Sequence, residues 1–565
     1  MNFFKEHIIY LISKNTELKR KDLENIIEVP PDKLLGDYSL PCFDLAKKLK
    51  KSPMQISEEI RNKLPKSKYL KKTETKKGYL NFFIEEKELA EITLKNILKD
   101  RHRYGSANLG KKKLVMVEYS SPNTNKPLHL GHIRNNLIGM SLSNILGFLN
   151  YKVIRTSVVN DKGVHICKSM LAYSKWGNNK KPNKKPDHFV GDFYVLFSQK
   201  EKEDPSLNEQ AQNMLALWEK KDKKTLDLWK KMNSWVYKGF QETYDILGSK
   251  FDKVYYESQI YEKGKNTVIN AYKKNIFKEE DSAIMADLSS LKLPNKVLIR
   301  SDKTSLYITQ DIYLAILKFK EYDLERSIYV VANEQGLHFK QLFAILSLLK
   351  FKHYKDCYHL SYGYVLLPTG KMKSREGAIV DADNLIREMV SLAKLELQKR
   401  HKLKEKELDE RSFKIALGAI KFFFLKYETF KDIVFNPEES ISFEGETGPY
   451  IQYTYARANS ILRKAKKLPK KFNSSLLNTP EEIDLLNILY KFPDYVEESA
   501  KNYKMSVIAH YLILLAQKFN EFYQKHQVIN SSIEIKNARL ILVVSCRQVL
   551  WNAAKLLNID MLEEM

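Results

Sequence analysis

Two histidines spaced three residues apart, His129 and His132, stand between a short apolar run and a longer segment of helical periodicity. Residues 114–119 predict a buried strand and residues 133–149 predict a helix, so the loop between them would open a βαβ unit. The free amides at the start of such a helix bind phosphate, and Gly131 leaves room for a ligand to approach. Both imidazoles could then donate hydrogen bonds to phosphate oxygens as negative charge develops. A helix-capping cluster and half of a metal site are the alternatives at this spacing.

The length and composition are consistent with a multidomain protein that binds a polyanion. A chain of 565 residues is too long for one core, so three or four domains are expected. Lysine and arginine number 95 against 69 acidic residues, which gives a net charge of +26 and suits binding to nucleic acid. The alternative is that the codon usage of the source genome favours lysine.

The four cysteines lie far apart without a C-x-x-C pair, so neither a disulfide framework nor a structural zinc is expected. No run approaches the roughly 18 to 20 apolar residues of a membrane span, and the apolar start is too short for a secretory signal. We expect a cytoplasmic protein that does not enter a membrane.

Periodicity predicts an α/β multidomain fold in four parts. Residues 1–108 form a small α/β domain, and residues 109–384 form a doubly wound parallel-sheet (Rossmann-type) domain with a helical insertion at about 176–262. Residues 385–434 are a helical connector, and residues 435–565 are all helical. The sheet strands are predicted at residues 114–119, 153–159, 296–300, 304–311, 327–331 and 356–365.

Three strings carry a resemblance to one family. The string Pro122-Asn-Thr-Asn-Lys-Pro-Leu-His-Leu-Gly-His132 resembles the first nucleotide-binding motif of class I aminoacyl-tRNA synthetases, and Ser120-Ser-Pro-Asn with Lys126-Pro resembles its arginyl version. The basic loop 370–377 is similar to the second class I motif. The string Glu446-Thr-Gly-Pro-Tyr-Ile-Gln-Tyr-Thr-Tyr-Ala-Arg457 resembles the start of the arginyl family's α-helical anticodon-binding domain, and the N-terminal domain resembles the one that contacts the tRNA elbow.

The resemblance implies an arginine–tRNA ligase that uses ATP with Mg²⁺, L-arginine and tRNA(Arg), without zinc, an organic cofactor or a covalent enzyme intermediate. Positioning and charge stabilisation would then supply the catalysis. The second motif carries Ser374 where the class usually has lysine, and Lys126 would supply that cation. The implied catalytic residues are His129, His132, Lys126 and Lys371, and the implied ATP-binding residues are Pro122, His129, Gly131, His132, Lys371, Lys373, Ser374 and Arg375.

A guanidinium removed from water needs carboxylates, and the resemblance supplies candidates for arginine and for tRNA. Without the resemblance, Asp311 would be assigned as the N-cap of a helix. The implied arginine-binding residues are Glu118, Asn123, Tyr307, Asp311 and Gln335. The implied tRNA-binding residues are Asn81, Phe82, Tyr450, Gln452, Tyr453 and Arg457.

Two other classes of function compete with this hypothesis. One is a synthetase for another amino acid or a small-molecule nucleotidyltransferase, and the full-length resemblance with its anticodon-type domain counts against the latter. The other is a non-catalytic tRNA-binding relative, which should have lost residues such as His129, Lys371 and Asp311. We expect a catalytic monomer.

Overall fold

A computed structural model describes residues 3–368 and 380–565. The N-terminal domain has an antiparallel sheet in the order β1-β3-β2, and helix α4 packs on β2 and β3. The helices and strands of this domain are α1 (Phe3–Asn15), α2 (Arg20–Ile26), β1 (Tyr38–Pro41), α3 (Phe43–Leu49), α4 (Pro53–Lys63), β2 (Leu70–Lys76), β3 (Tyr79–Ile84) and α5 (Glu86–Asp100).

The central domain is built on a parallel sheet in the order β11-β10-β4-β5-β6. The strand order reverses between β4 and β10, which is where open α/β sheets bind ligands at their carboxyl ends. Its elements are β4 (Leu114–Glu118), α6 (Leu130–Phe148), β5 (Lys152–Val159), α7 (Val164–Trp176), α8 (Pro186–Glu203), α9 (Ser206–Glu219), α10 (Lys223–Leu247), β6 (Lys253–Tyr256), α11 (Glu257–Lys273), β7 (Lys278–Glu280), β8 (Ala283–Ala286), β9 (Lys296–Ile299), α12 (Tyr307–Glu321), β10 (Leu324–Ala332), α13 (Gly336–Leu348), β11 (Cys357–Tyr362) and β12 (Val365–Leu366).

Two strand predictions for the parallel sheet are wrong. Residues 296–300 do form a strand, β9, but it belongs to a separate antiparallel sheet in the order β7-β8-β9. Residues 304–311 are not a strand, because helix α12 begins at Tyr307. Its residues Ile308, Ile312 and Ala315 are all buried, and they recur at helical spacing. This pattern continues beyond residue 311, where the predicted strand ended.

The predicted insertion is too wide at its C-terminal end. Helices α8, α9 and α10 form the helical part, but β6 is the edge strand of the parallel sheet and pairs with β5. Only four residues make this strand, too few to stand out beside the long helices around it.

The C-terminal part is helical apart from β13, which pairs with β12. Its last helix packs on α6, where Asn144 Nδ2 donates to Lys555 O at 3.2 Å. No helix in residues 3–368 or 380–565 has the length and apolarity to cross a bilayer. The elements of this part are α14 (Ala382–Arg400), α15 (Glu405–Leu425), β13 (Ile433–Val434), α16 (Pro437–Ser440), α17 (Gly448–Ala465), α18 (Pro480–Asn502), α19 (Ser506–Lys525) and α20 (Ile533–Leu556).

Candidate active site

The two histidines of the first loop cap helix α6. His129 is the N-cap, and its Nδ1 accepts from the Gly131 amide at 3.1 Å. His132 reaches back, and its Nδ1 accepts from the His129 amide at 3.2 Å. Because a backbone N–H can only donate, the proton of each neutral ring must lie on Nε2. The capping alternative is therefore realised, and it fixes both rings as Nε2–H donors.

Both rings are held neutral. Burial, together with the nearby Lys126 ammonium, lowers the pKa of His129 to about 4. Burial, His129 and Lys126 lower the pKa of His132 well below its ordinary value. The ring centroids lie 4.0 Å apart, so the pair forms one compact donor surface at the start of α6. Such a surface can hydrogen-bond to phosphate oxygens without a change of protonation state.

The loop before α6 is held from two sides. Asn160, just after β5, donates its amide to Pro122 O at 3.0 Å and accepts from the Thr124 amide at 3.1 Å, which extends the sheet pairing into the loop. On the other side, the Ala382 amide donates to Leu128 O at 2.8 Å. Lys126 is half-buried between these anchors and makes no hydrogen bond or ion pair within the described ranges.

The five predicted arginine-binding residues meet in one cavity. This cavity of about 400 Å³ lies at the carboxyl ends of β4 and β10. Glu118 ends β4, Gln335 ends the turn after β10, and Tyr307 and Asp311 lie in the first two turns of α12. Asp311 is therefore neither on a strand nor an N-cap. The family resemblance predicted this grouping, although Tyr307 and Asp311 were assigned to a strand and lie in a helix.

Two of the carboxylates in the cavity already have cationic or donor partners. Lys318 of α12 forms a buried ion pair with Glu118, which offsets the charge of that carboxylate. His338 Nε2 donates to Asp311 Oδ2 at 2.7 Å. Asp311 remains partly exposed, so a ligand can reach it.

A third carboxylate, Glu257, lines the same cavity and was missed in the sequence. It is buried, and its Oε2 has no hydrogen-bond partner among the described residues. Burial and the charges of Asp311 and Asp161 raise the pKa of Glu257 to about 8. An unpaired buried acid beside a second acid is a site for a cationic ligand. The strand before it, residues 253–256, was too short to be predicted, so the sequence carried no signal for Glu257.

The start of α11 is fixed so that Glu257 faces α12. Asp161 accepts from the Ser258 amide at 2.9 Å, from Ser258 Oγ at 2.7 Å and from the Tyr237 hydroxyl at 3.1 Å. Helix α12 approaches α11 closely at Gly264, where a Cβ would lie 2.7 Å from Thr309 O. Asp161 and Gly264 thus place Glu257 close to Asp311.

The predicted tRNA-binding residues separate into buried and accessible groups. Asn81, Phe82 and Gln452 are all buried. Asn81 Oδ1 accepts from Ser39 Oγ at 2.7 Å, and Gln452 Nε2 donates to Asp560 O at 2.7 Å. These three side chains hold their own domains together and present no surface to RNA.

Tyr453 and Arg457 instead line an open groove of about 470 Å³ on the helical domain. The Arg457 guanidinium lies 4.9 Å from the ring centroid of Tyr453 and 5.1 Å from that of Tyr523. Tyr450 is half-buried nearby, and its hydroxyl accepts from Asn520 Nδ2 at 2.9 Å. A cation between two accessible aromatic rings suits the phosphates and bases of single-stranded RNA.

Three family models match successive parts of the chain. They are the arginyl tRNA synthetase N-terminal domain over residues 2–84, the catalytic domain of class I (R) tRNA synthetases over residues 93–437, and the DALR anticodon-binding domain over residues 451–565. The chain belongs to the class I arginyl-tRNA synthetase family.

Relatives and solved structures agree with this family. The arginine–tRNA ligase of Treponema denticola is 44% identical over 95% of this chain and 94% of its own, and that of Parabacteroides distasonis is 42% identical over 94% of each. The arginyl-tRNA synthetase structure of Thermus thermophilus superposes with a TM-score of 0.82 at 27% identity, covering 95% of this chain and 96% of that one.

The basic loop 370–377, which was predicted to be the second class I motif, lies outside the described residues. Lys371, Lys373, Ser374 and Arg375 all lie in that segment, between residues 368 and 380. The first described residues after this segment lie beside the loop that precedes α6. There Asp381 forms an antiparallel bridge with His129 and caps α14.

Next to this bridge lie three side chains of the types that bind metal ions, Asp187, His188 and Asp383. The Lys185 ammonium lies 2.7 Å from Asp383 and 3.2 Å from Asp187, and His188 Nε2 lies 2.6 Å from Asp383. A lysine already balances these acids, so the group is an ion-pair network that joins α8 to α14.

Proposed function

We propose that this arginyl-tRNA synthetase family member activates L-arginine with ATP to arginyl adenylate and transfers the arginyl group to the 3′ end of tRNA(Arg), releasing AMP and pyrophosphate. The observation that carries the proposal is the cavity at the carboxyl ends of β4 and β10, which is lined by both Asp311 and Glu257. Relatives at 44% and 42% identity bear the same activity in their names.

On the ATP side, the arginine carboxylate attacks the α-phosphate in line, and pyrophosphate leaves with Mg²⁺. The Nε2–H groups of His129 and His132 donate to phosphate oxygens. Gly131 leaves room for the His129 ring, because a Cβ there would lie 3.1 Å from it. Lys126, which has no partner in the described structure, supplies the positive charge that Ser374 lacks. Pro122 is buried and its carbonyl accepts from the Asn160 amide, so it fixes the loop. Lys371, Lys373 and Arg375 hold the outer phosphates.

On the arginine side, Asp311 and Glu257 accept the guanidinium. The charge of Glu118 is offset by Lys318, so Glu118 contributes mainly hydrogen-bond acceptors with Asn123 and Gln335. Tyr307 is exposed at the pocket and covers the arginine side chain. Two acids for one guanidinium favour arginine over lysine, because the planar group can donate to both at once.

Arginine binding should strengthen with pH up to about 8. In the free protein Glu257 keeps its proton until pH reaches about 8, whereas the guanidinium favours the ionised form. The complex therefore binds fewer protons than the free protein, and arginine affinity should rise by up to about tenfold per pH unit below that pKa. We expect calorimetric titrations from pH 6 to 9 to show this rise.

The matched variant for this prediction is Glu257→Gln. It removes the titrating group, so arginine should bind more weakly at pH 8 and with little dependence on pH. A wild-type affinity that stays constant between pH 6 and 8 would contradict the role of Glu257.

Arg457→Gln should weaken tRNA binding about tenfold, the usual scale for loss of one arginine contact to nucleic acid. The matched control is Arg547→Gln. Arg457 Nη1 donates to Asn520 Oδ1, and Arg547 Nη1 likewise donates to Asn459 Oδ1 at 2.8 Å, but Arg547 lies outside the groove. Filter binding at fixed salt measures both variants, and arginine affinity should be unchanged in each. Equal tRNA affinity of the two variants would exclude the groove as the RNA site.

We also propose that the enzyme is a cytoplasmic monomer and that ATP with Mg²⁺ is its only metal-bearing ligand. Light scattering of the purified protein measures the oligomeric state. A mass near 66.1 kDa is expected.

A further inference from the structure

A second cavity, of about 590 Å³, adjoins the arginine pocket. The two cavities have Glu257, Tyr307 and Gln310 in common, so these three side chains form the wall between them. This wall lies where the acids place the guanidinium, because Glu257 is part of it and Asp311 follows Gln310 on α12. The second cavity has room for a substituent larger than a methyl group.

Gln310 has an unused acceptor in this wall. The residue is 6% exposed, and its Oε1 has no hydrogen-bond partner among the described residues. A buried amide oxygen without a donor is costly. A guanidinium carries five N–H donors and no acceptor, so it is the ligand that matches an unpaired oxygen beside two carboxylates.

We propose that Gln310 is a specificity-determining residue: its Oε1 accepts a hydrogen bond from a terminal guanidinium nitrogen of arginine, and its side chain closes the pocket against the second cavity. Arginines alkylated on a terminal nitrogen are excluded, because the substituent would collide with the wall and remove a donor. This inference rests on the proposed function.

Two variants separate the two roles. Gln310→Met keeps the length of the side chain and removes the acceptor, so the KM for arginine should rise about tenfold or more while the KM for ATP stays constant. Gln310→Ala removes the wall, so the preference for arginine over Nω-methylarginine should fall at least about tenfold. ATP–pyrophosphate exchange with tRNA present measures both.

The matched control is Gln341→Met. Gln341 is also buried, and its Nε2 donates to Pro294 O at 2.9 Å, away from both cavities. This control should lose thermal stability without a change in arginine KM. Direct calorimetry of wild-type protein with arginine and with Nω-methylarginine needs no variant and should give at least tenfold weaker binding of the methylated ligand.

The outcomes distinguish this inference from the proposed function. A wild-type protein without arginine-dependent exchange would overturn both. Wild-type exchange with arginine, combined with an unchanged arginine KM in Gln310→Met, would overturn the inference alone. Equal wild-type affinity for arginine and Nω-methylarginine would also overturn it alone, whether or not the variants fold.

Discussion

His132→Asn should lower the rate of adenylate formation about a hundredfold or more while leaving the stability of the protein nearly unchanged. The asparagine Oδ1 can replace Nδ1 as the acceptor for the His129 amide, but nothing replaces the Nε2–H that we propose donates to the phosphates. Loss of one charge-stabilising donor costs on the order of a hundredfold in rate. Pre-steady-state adenylate formation and thermal unfolding measure the two effects separately.

The complementary variant is His132→Leu, which removes both the acceptor for the His129 amide and the Nε2–H donor. It should be as slow as His132→Asn and in addition lose about 1 kcal/mol of stability with the helix cap. Near-wild-type turnover of a folded His132→Asn protein would mean that His132 only caps the helix.

Asp311→Asn should weaken arginine binding by about 2 to 4 kcal/mol, because the guanidinium then faces an uncharged partner in a partly buried pocket. The asparagine Oδ1 still accepts from His338, so the local structure should persist. Binding of citrulline, the uncharged isostere of arginine, should change little. Calorimetry with both ligands gives the part of the binding free energy that depends on the charge of the guanidinium.

The matched control for this variant is Asp356→Asn. Asp356 pairs with His353 at 2.9 Å in the same chemical combination but outside the cavity. It should leave arginine affinity unchanged. An equal loss of arginine and citrulline binding in Asp311→Asn would show that Asp311 acts through structure rather than charge.

The residues that line the pocket were predicted better than their secondary structure. The family resemblance supplied Glu118 and Gln335, and the parallel sheet explains their meeting, since parallel strands bring their carboxyl ends to one edge. The segment from Tyr307 to Asp311 was predicted as a strand because isoleucine, threonine and tyrosine favour strands, but burial at helical spacing over the longer segment decides for α12. Tertiary packing therefore overrides the intrinsic strand propensity of this segment.

Glu257 and Gln452 show what sequence alone could not determine. The raised pKa of Glu257 arises from burial and from the charges of Asp311 and Asp161, which are remote in the chain. Packing of α11 on α12 brings Asp311 near, and the bonds from Ser258 hold Asp161 near. Gln452 lies in a motif that resembles a tRNA-binding string, but a motif does not give the direction of each side chain. Its amide faces inward and donates to backbone oxygens.

The central claim is tested most directly by charging tRNA(Arg) with each of the twenty amino acids, and with citrulline, in the presence of ATP and Mg²⁺. We expect radiolabelled arginine to enter tRNA, lysine and citrulline to enter not at all, and charging to fall in Asp311→Asn in parallel with arginine affinity. Charging with an amino acid other than arginine, or adenylate formation without any transfer to tRNA, would contradict the account.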